Sequence, residues 1–228
     1  SIMKHGFTLL ELSIVLVIIG LIIGGVTVGK DLIRSAELNA VISDATKYKV
    51  AVNSFKLKYN ALPGDLSNAT SYWPSCIDDA GPPATTCNGN GNGIISAASM
   101  SENYRAWQHL GLSGIIPGSF TGTLLNPTYA QVGLNFPSVA LDSGFMIIDD
   151  NYASYSSNIN GIRVTAYNED DDANPMISTE EAYIIDIKID DGIGNSGALR
   201  GYNTGTCLSA NAYDLGQTDL QCSLFFFM

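Results

Sequence analysis

Charged side chains and histidine are scarce in this sequence. Of its 228 residues only 14% are charged, and the two histidines are His5 and His109. The sequence contains no G-x-S-x-G, no H-E-x-x-H and no phosphate-binding glycine-rich loop. We therefore expect no enzymatic activity and no catalytic residue. His109 stands on an amphipathic segment, where we expect a hydrogen-bonded structural side chain.

Basic residues are fewer than acidic ones. Eleven lysines and arginines stand against 22 aspartates and glutamates, and the net charge is −11. Because nucleic-acid binding needs clustered Lys and Arg, we expect no nucleic acid to be bound directly. The charge is also uneven: residues 30–58 carry a net +3, whereas residues 60–228 carry a net −14. The composition predicts a basic stem and an acidic head.

Proline is absent from Phe7 to Leu62, so a single helix of roughly 80 Å is permitted. Its first 23 residues, Phe7 to Gly29, contain Glu11 as their single ionisable side chain. They would extend roughly 34 Å as a helix, enough to cross a hydrocarbon core of ~30 Å. A carboxylate inside a membrane costs on the order of 2.5–3.5 kcal/mol, so we expect Glu11 to have a cationic partner from outside this apolar run.

An apolar stripe continues along the segment that follows. It comprises Leu38, Val41, Ala45, Tyr48, Val52, Phe55 and Tyr59, in alternating steps of three and four residues. This spacing draws one face of a helix, which we expect to pack on the head of its own chain; a coiled coil is the alternative. The sequence "NALPGDL" then ends the helix, because Pro63 cannot continue it and Gly64 favours a turn.

The four cysteines form two close couples, Cys76 with Cys87 and Cys207 with Cys222. Three connectivities are possible, and nearest-neighbour pairing requires the least rearrangement of the chain. Two disulfides would place the head in an oxidising compartment. Four free buried thiols are the alternative.

The head is predicted to combine loops, one short helix and a few strands. Residues 60–93 are rich in Gly, Pro, Asn and Ser and predict a loop. In "SMSENYRAWQHLG", Ser99 and Glu102 have the spacing of a capping box, and Gly111 has that of a helix stop. The segments "SGFMIID", "GIRVTAY" and "AYIIDIKID" predict three strands. The fold class is therefore α+β, with a long N-terminal helix on a small antiparallel sheet.

Two segments raise the question of a calcium site. Asp186, Asp190 and Asp191 would lie together at a strand end, and calcium prefers such oxygen ligands. A solvated turn is the alternative. In "NGNGNGI" the alternate asparagines also have the oxygen spacing of a calcium loop, although repeated Asn-Gly more often forms plain turns. We expect no other cofactor.

The stretch "KHGFTLLELSIVLVIIGLIIGG" resembles the N-terminal signature of type IV pilins and type II secretion pseudopilins. The resemblance implies that a prepilin peptidase cleaves between Gly6 and Phe7 and that Phe7 is then N-methylated. Glu11 would pair with the resulting positive amine, on its own chain or on a neighbouring subunit. That amine would be the external cation which Glu11 requires.

The resemblance also implies the organisation of the chain. Residues 1–6 would be a leader peptide, 7–29 a transmembrane helix that becomes the filament core, 30–59 an amphipathic stem helix, and 60–228 a globular acidic head. Family members commonly carry a proline in the distal apolar helix, and this chain has glycines there instead. The fold implied is that of a pilin.

The function implied is that of a structural subunit of a type IV pilus-like extracellular filament. Its partners would be copies of itself, the prepilin peptidase and methyltransferase, an inner-membrane assembly platform, and membrane lipid before assembly. The precursor would sit in the inner membrane with a periplasmic head, and the mature form in a cell-surface pilus. A type II secretion pseudopilin is one alternative, and a membrane-tethered periplasmic binding module is another.

Overall fold

The computed structural model describes residue 6 and residues 8–78, 85–96, 102–122, 131–141, 144–149, 159–166, 174–203, 207–217 and 219–228. Three α-helices lie within these residues, α1 (Leu9–Tyr59), α2 (Glu102–Leu112) and α3 (Thr179–Ile189), together with a short 3-10 helix at Ala69–Ser71. The strands are β1 (Ile77–Asp78), β2 (Thr85–Thr86), β3 (Gly144–Asp149), β4 (Gly161–Ala166), β5 (Ile177–Ser178), β6 (Leu199–Asn203), β7 (Leu208–Ser209), β8 (Ala212–Tyr213) and β9 (Leu220–Phe227).

Helix α1 is one continuous helix of 51 residues, as the absence of proline predicts. It ends at Asn60, whose backbone adopts the left-handed conformation (φ 53°) and donates its N–H to the Lys56 carbonyl. Asparagine tolerates this conformation better than most residues, and Pro63 follows shortly after. The predicted end of the helix is confirmed.

The second half of α1 buries one face in the head. Its buried residues are Leu38, Val41, Ala45, Tyr48, Ala51, Val52 and Phe55. This face contacts α2, α3 and β4 of the same chain. The rings of Tyr48 and Trp107 meet edge to face, with centroids 4.8 Å apart. The stripe therefore serves the chain's own core, as predicted, and not a coiled coil.

The main sheet is antiparallel and is centred on β9. Its strand order is β3-β4-β9-β5, and β6 also pairs with β9. Strands β4 and β6 flank β9 on opposite sides, since Phe226 pairs with both Ile162 and Leu199. The predicted strands in "SGFMIID" and "GIRVTAY" are present as β3 and β4. The architecture is α+β and pilin-like, with two disulfides in the head, and the predicted fold class is confirmed.

The third predicted strand is wrong, because "AYIIDIKID" lies in helix α3. Ser178 caps this helix, and a capping box joins it to Glu181. Burial then follows a helical period: Ala182, Ile185 and Asp186 are buried, while Ile187 and Ile189 are exposed. The alternation of apolar and polar letters indicated period two, but the start signal at Ser178 and the packing against α1 decide for the helix.

Helix α2 lies inside the head. Tyr104, Trp107 and Leu110 are buried, as predicted. The helix runs one residue past the predicted stop at Gly111. The predicted cap Ser99 lies outside the described residues. The Glu102 carboxylate accepts hydrogen bonds from the backbone N–H groups of Asn90 and Ser96, which ties the start of α2 to the preceding loop.

Both disulfides join nearest neighbours. Cys76 pairs with Cys87 and Cys207 pairs with Cys222, and no cysteine is free. The first closes the loop that contains the β1–β2 hairpin, and the second ties the β7–β8 region to the central strand β9. All four cysteines are buried.

Candidate processing and assembly site

The start of α1 is defined by a cap at Thr8. Gly6 is exposed, Phe7 lies outside the described residues, and α1 begins at Leu9. Thr8 has extended backbone angles (φ −79°, ψ 154°), as an N-cap residue requires. The predicted cleavage position between Gly6 and Phe7 therefore lies just ahead of the helix.

Glu11 folds back onto this cap. The Thr8 backbone N–H and hydroxyl both donate to Glu11 Oε2, at 2.8 and 2.9 Å, and the Glu11 N–H donates to Thr8 Oγ1 at 3.2 Å. This reciprocal arrangement is a capping box. The prediction from sequence missed it, although the Thr-x-x-Glu spacing signals it. Among the described residues the carboxylate meets neutral donors and no ion pair.

The apolar part of α1 has no partner within the described part of the chain. Leu9 is 92% exposed, and the helix contains an 18-residue window of mean hydropathy 2.7 with 0% of it buried. By length and composition it is the one described helix that can cross a membrane. The core helix of a soluble protein would be mostly buried, whereas no described residue covers this surface.

Comparison with family models bears on the same segment. A model of the prokaryotic N-terminal methylation motif matches residues 3–27. The chain carries the prepilin-type signature of the type IV pilins and pseudopilins. The prepilin-type signature covers Gly6, Phe7 and Glu11 and reaches into the exposed apolar helix. No curated protein and no solved structure matches the chain significantly.

The glycines of the signature region are not required by the packing of the chain itself. A Cβ built at Gly6 meets no atom within 4 Å, and the same is true at Gly20, Gly24 and Gly25 and at Gly29 just beyond the signature. Contacts within the described residues therefore do not explain why these positions lack side chains. A partner that approaches the backbone closely would explain them.

The acidic trio predicted for calcium does come together. Single carboxylate oxygens of Asp186, Asp190 and Asp191 all lie within 4.8 Å of one another. The three residues lie at the end of helix α3, and not at the strand end that the sequence predicts.

Each of these carboxylates also organises the loop that follows α3. Asp186 accepts from the Tyr213 hydroxyl (2.8 Å) and the Gly192 N–H (3.2 Å). Asp190 accepts from the Ala198 and Leu199 N–H groups, and Asp191 accepts from the Ile193 N–H and the Ser196 hydroxyl. These bonds explain the cluster without an ion, and a calcium site here stays a prediction.

The pKa values of the buried and the exposed members of the trio are shifted in opposite directions. Burial raises the pKa of Asp186, and the Tyr213 hydroxyl opposes this in part. In contrast, the Ser196 hydroxyl and the Ile193 N–H lower the pKa of the exposed Asp191. The exposed end of the trio therefore keeps its negative charge to lower pH than an ordinary aspartate does.

His109 is a buried structural link, as expected of it. Its Nδ1 accepts the Gly64 N–H at 2.9 Å, and its Nε2 lies 2.9 Å from the Cys87 carbonyl, to which it donates in that tautomer. The ring stacks on Phe55, with centroids 6.0 Å apart. Burial lowers the pKa of His109 from 6.5 to about 4, so the ring is neutral at physiological pH. It joins the first disulfide to the end of the stem.

An ion pair fastens the stem to the head near the end of the apolar segment. Arg34 Nε lies 2.6 Å from Glu181 Oε1, and a second guanidinium nitrogen lies 3.0 Å from Oε2. Arg34 also contacts Glu37 at 3.2 Å. Sequence reasoning missed this pair because its members are 147 positions apart. Glu181 holds the α3 cap as well, so one carboxylate links α1 to α3.

Proposed function

We propose that the chain is the structural subunit of a type IV pilus-like extracellular filament. Its precursor sits in the inner membrane with a periplasmic head, and the mature form joins a cell-surface pilus. One observation carries the proposal: the prepilin-type signature leads directly into a helix whose apolar surface is uncovered and interrupted by one carboxylate. Lipid covers this surface before assembly, and copies of the same helix cover it in the filament.

Glu11 acts in this proposal as the charge partner of the processed N-terminus. Cleavage after Gly6 creates a positive amine on Phe7, and N-methylation preserves that charge. A buried charge without its partner costs far more than a buried pair. A subunit inserted out of register would leave both charges unpaired, so the pair selects the correct position. Until then the cap at Thr8 holds the carboxylate at the helix start.

The processing partners follow from the same signature. A prepilin peptidase and methyltransferase would cut after Gly6 and methylate Phe7, and an inner-membrane assembly platform would extract the subunit from the bilayer. Gly6 is exposed and open on all sides, which suits close approach by the peptidase.

Gly6→Ala tests processing. The substitution meets no atom of the described chain, so folding should be unaffected. We expect an uncut, membrane-held precursor and no filament, which immunoblotting for the size shift and electron microscopy would show. Gly20→Ala, equally open, is the matched control and should be processed normally. Normal filaments from Gly6→Ala would contradict the proposed processing.

Three variants separate the charge of Glu11 from its capping role. Glu11→Gln keeps a capping acceptor and removes the charge, Thr8→Ala removes the cap and keeps the charge, and Glu11→Ala removes both. We expect membrane insertion in all three. Assembly should fail in both Glu11 variants and persist in Thr8→Ala. Wild-type filament yield from Glu11→Gln would show that the charge is not what assembly requires.

Shearing cells and sedimenting the released material separates pilus from the alternatives. A pilus subunit should appear in long, sedimentable surface filaments. A type II secretion pseudopilin should stay with the cell envelope, and its deletion should retain secreted proteins in the periplasm. A tethered binding module should give neither result. Either of the last two outcomes would replace the proposed function.

We further propose that calcium binds at Asp186, Asp190 and Asp191 and offsets repulsion between acidic heads. Exposed charges are screened beyond ~8 Å at physiological ionic strength, so the effect should be largest at low salt. We expect a chelator at low salt to shorten or unbundle filaments and added calcium to restore them. Asp190→Asn/Asp191→Asn should remove that response. If the chelator leaves filament length and bundling unchanged at every ionic strength, the calcium proposal is wrong and the three aspartates only organise the loop.

A further inference from the structure

The loop at residues 88–93 contains three successive Asn-Gly steps, Asn88-Gly89, Asn90-Gly91 and Asn92-Gly93. At such a step the glycine backbone nitrogen can attack the asparagine side-chain carbon. A C–N bond forms, the bond to the amide nitrogen breaks, and ammonia leaves with the proton. Water then opens the cyclic imide to aspartate or isoaspartate. Glycine favours the attack because it has no Cβ to obstruct it.

In the folded head, each of the three attacking N–H groups is held by an acceptor. Gly89 N–H donates to the Leu66 carbonyl at 2.9 Å. Gly91 N–H donates to Asp65 Oδ1 at 2.7 Å and to the Asp65 carbonyl at 3.0 Å. Gly93 N–H donates to Asp65 Oδ2 at 2.8 Å. One buried carboxylate, 2% exposed, therefore occupies the nucleophiles of the second and third steps.

The loop is shaped to place these groups around Asp65. Gly91 and Gly93 have φ of +74° and +84°, a conformation that directs successive N–H groups into a concavity suited to an anion. At Gly89 any Cβ would collide with the backbone of Gly64 and Asp65. The glycines that favour attack on the asparagine side chains are therefore the same ones that the loop needs in order to fold around Asp65.

The asparagine side chains are also held. Asn88 Oδ1 accepts from the Thr70 N–H at 3.0 Å, Asn90 Oδ1 from the Asn92 N–H at 2.9 Å, and Asn92 Oδ1 from the Ile94 N–H at 2.8 Å. Asn90 and Asn92 are nevertheless exposed, so water for the hydrolytic step is present. The fold therefore restrains the nucleophilic N–H groups but does not exclude water from Asn90 and Asn92.

We propose that this loop is a site of spontaneous deamidation at Asn90 and Asn92, and that Asp65 suppresses the reaction while the head is folded. Deamidation would place a new carboxylate beside Asp65 and near Glu102, whose Oε1 accepts the Asn90 N–H at 2.9 Å. Like charges repel, so the first modification loosens the loop. Deamidation would therefore identify heads in which the loop has opened. This inference does not depend on the kind of assembly that the chain forms.

The test is a time course at neutral pH on the full chain in detergent micelles, with each Asn-Gly step followed by peptide mass spectrometry. In Asp65→Ala we expect deamidation at Asn92 to rise by roughly tenfold or more, the scale of a lost charge-assisted hydrogen bond. The deamidation rate at Asn90 should rise less, because the Gly91 N–H retains its hydrogen bond to the Asp65 backbone carbonyl. Asn88 should stay unchanged, because the Leu66 carbonyl holds its nucleophile.

Ile185→Ala is the control for general destabilisation, since Ile185 is buried in α3, which packs on α1 and on strands away from this loop. Equal acceleration at all three steps in both variants would overturn the role of Asp65. The unmodified chain supplies a second measurement that needs no variant: Asn90 and Asn92 should deamidate far more slowly in the folded chain than in urea. Equal rates in the folded and unfolded chain would refute the proposal even where Asp65→Ala does not fold.

Discussion

The two halves of α1 share one unbroken helix but differ in what covers them. From Leu9 to Ile33 the apolar side chains lie open on every side, with Leu9 at 92% and Ile33 at 63% exposure. From Leu38 to Phe55 one stripe is buried by α2, α3 and the sheet. The second half is covered by its own chain, whereas no described residue covers the first half, for which we propose a bilayer and then other copies of the helix.

This difference teaches that apolar content alone does not place a residue in a core. The first half is the more hydrophobic, yet it contributes nothing to the folded head. The second half has a single stripe among polar and charged residues, and that stripe anchors the head. Stability of the head and assembly of the subunit should therefore respond to different substitutions on the same helix.

The largest effect should come from truncating the buried stripe. Phe55→Ala should lower the free energy of unfolding of the head by about 3–5 kcal/mol, the range for a large buried aromatic. Ile18→Ala, at an exposed position in the first half, should leave it unchanged. Trp73 and Trp107 are the only two tryptophans, so their fluorescence during urea unfolding in micelles reports on the head alone. If Ile18→Ala lowered the free energy of unfolding by a similar amount, the distinction between the two halves of α1 would be wrong.

Acid should weaken the link between the stem and the first disulfide. The pKa of His109 falls from 6.5 to about 4 on folding, mainly through burial, so the neutral ring is the stable folded form. Its contribution is complete above pH 6.5 and is lost as pH falls toward 4, by about 3 kcal/mol in total.

Urea unfolding at several pH values, compared with His109→Gln, measures the contribution of His109. The Gln variant should be less stable at pH 7 and should lack this part of the pH dependence. Identical pH profiles for both chains would contradict the assignment.

The ion pair at the junction of the two halves should have the smallest effect. We expect a coupling of about 1 kcal/mol or less between Arg34 and Glu181, because both side chains are partly exposed. A double-mutant cycle isolates it from the capping role of Glu181.

This coupling should also depend on pH. Burial raises the pKa of Glu181, but the bonds from Arg34 and Ser178 outweigh this and lower it overall. The coupling should therefore be present above pH 4.5 and fade as pH falls below it. A coupling that does not change between pH 7 and pH 3 would show that charge is not its source.

The sequence predicted the long helix, its buried face and its end, because each of these depends on residues that are close together in the chain. The missing proline permits one long helix, the three-four spacing selects its buried face, and Asn60 with Pro63 ends it. The prepilin-type signature is contiguous, so it could be read without a structure. The Thr8–Glu11 cap was readable on the same grounds, from its Thr-x-x-Glu spacing.

Long-range packing decided what local patterns could not. In "AYIIDIKID" two local signals conflict, the strand-like alternation and the Ser-x-x-Glu capping box that starts at Ser178, and the packing of this segment against α1 decides for the helix. The Arg34–Glu181 pair joins residues far apart in the chain. The wrap of the Asn-Gly loop around Asp65 depends on where the fold brings a single buried carboxylate. Periodicity and caps act over a few residues and are written in the sequence, whereas the partner of a buried charge is fixed only when the whole chain has folded.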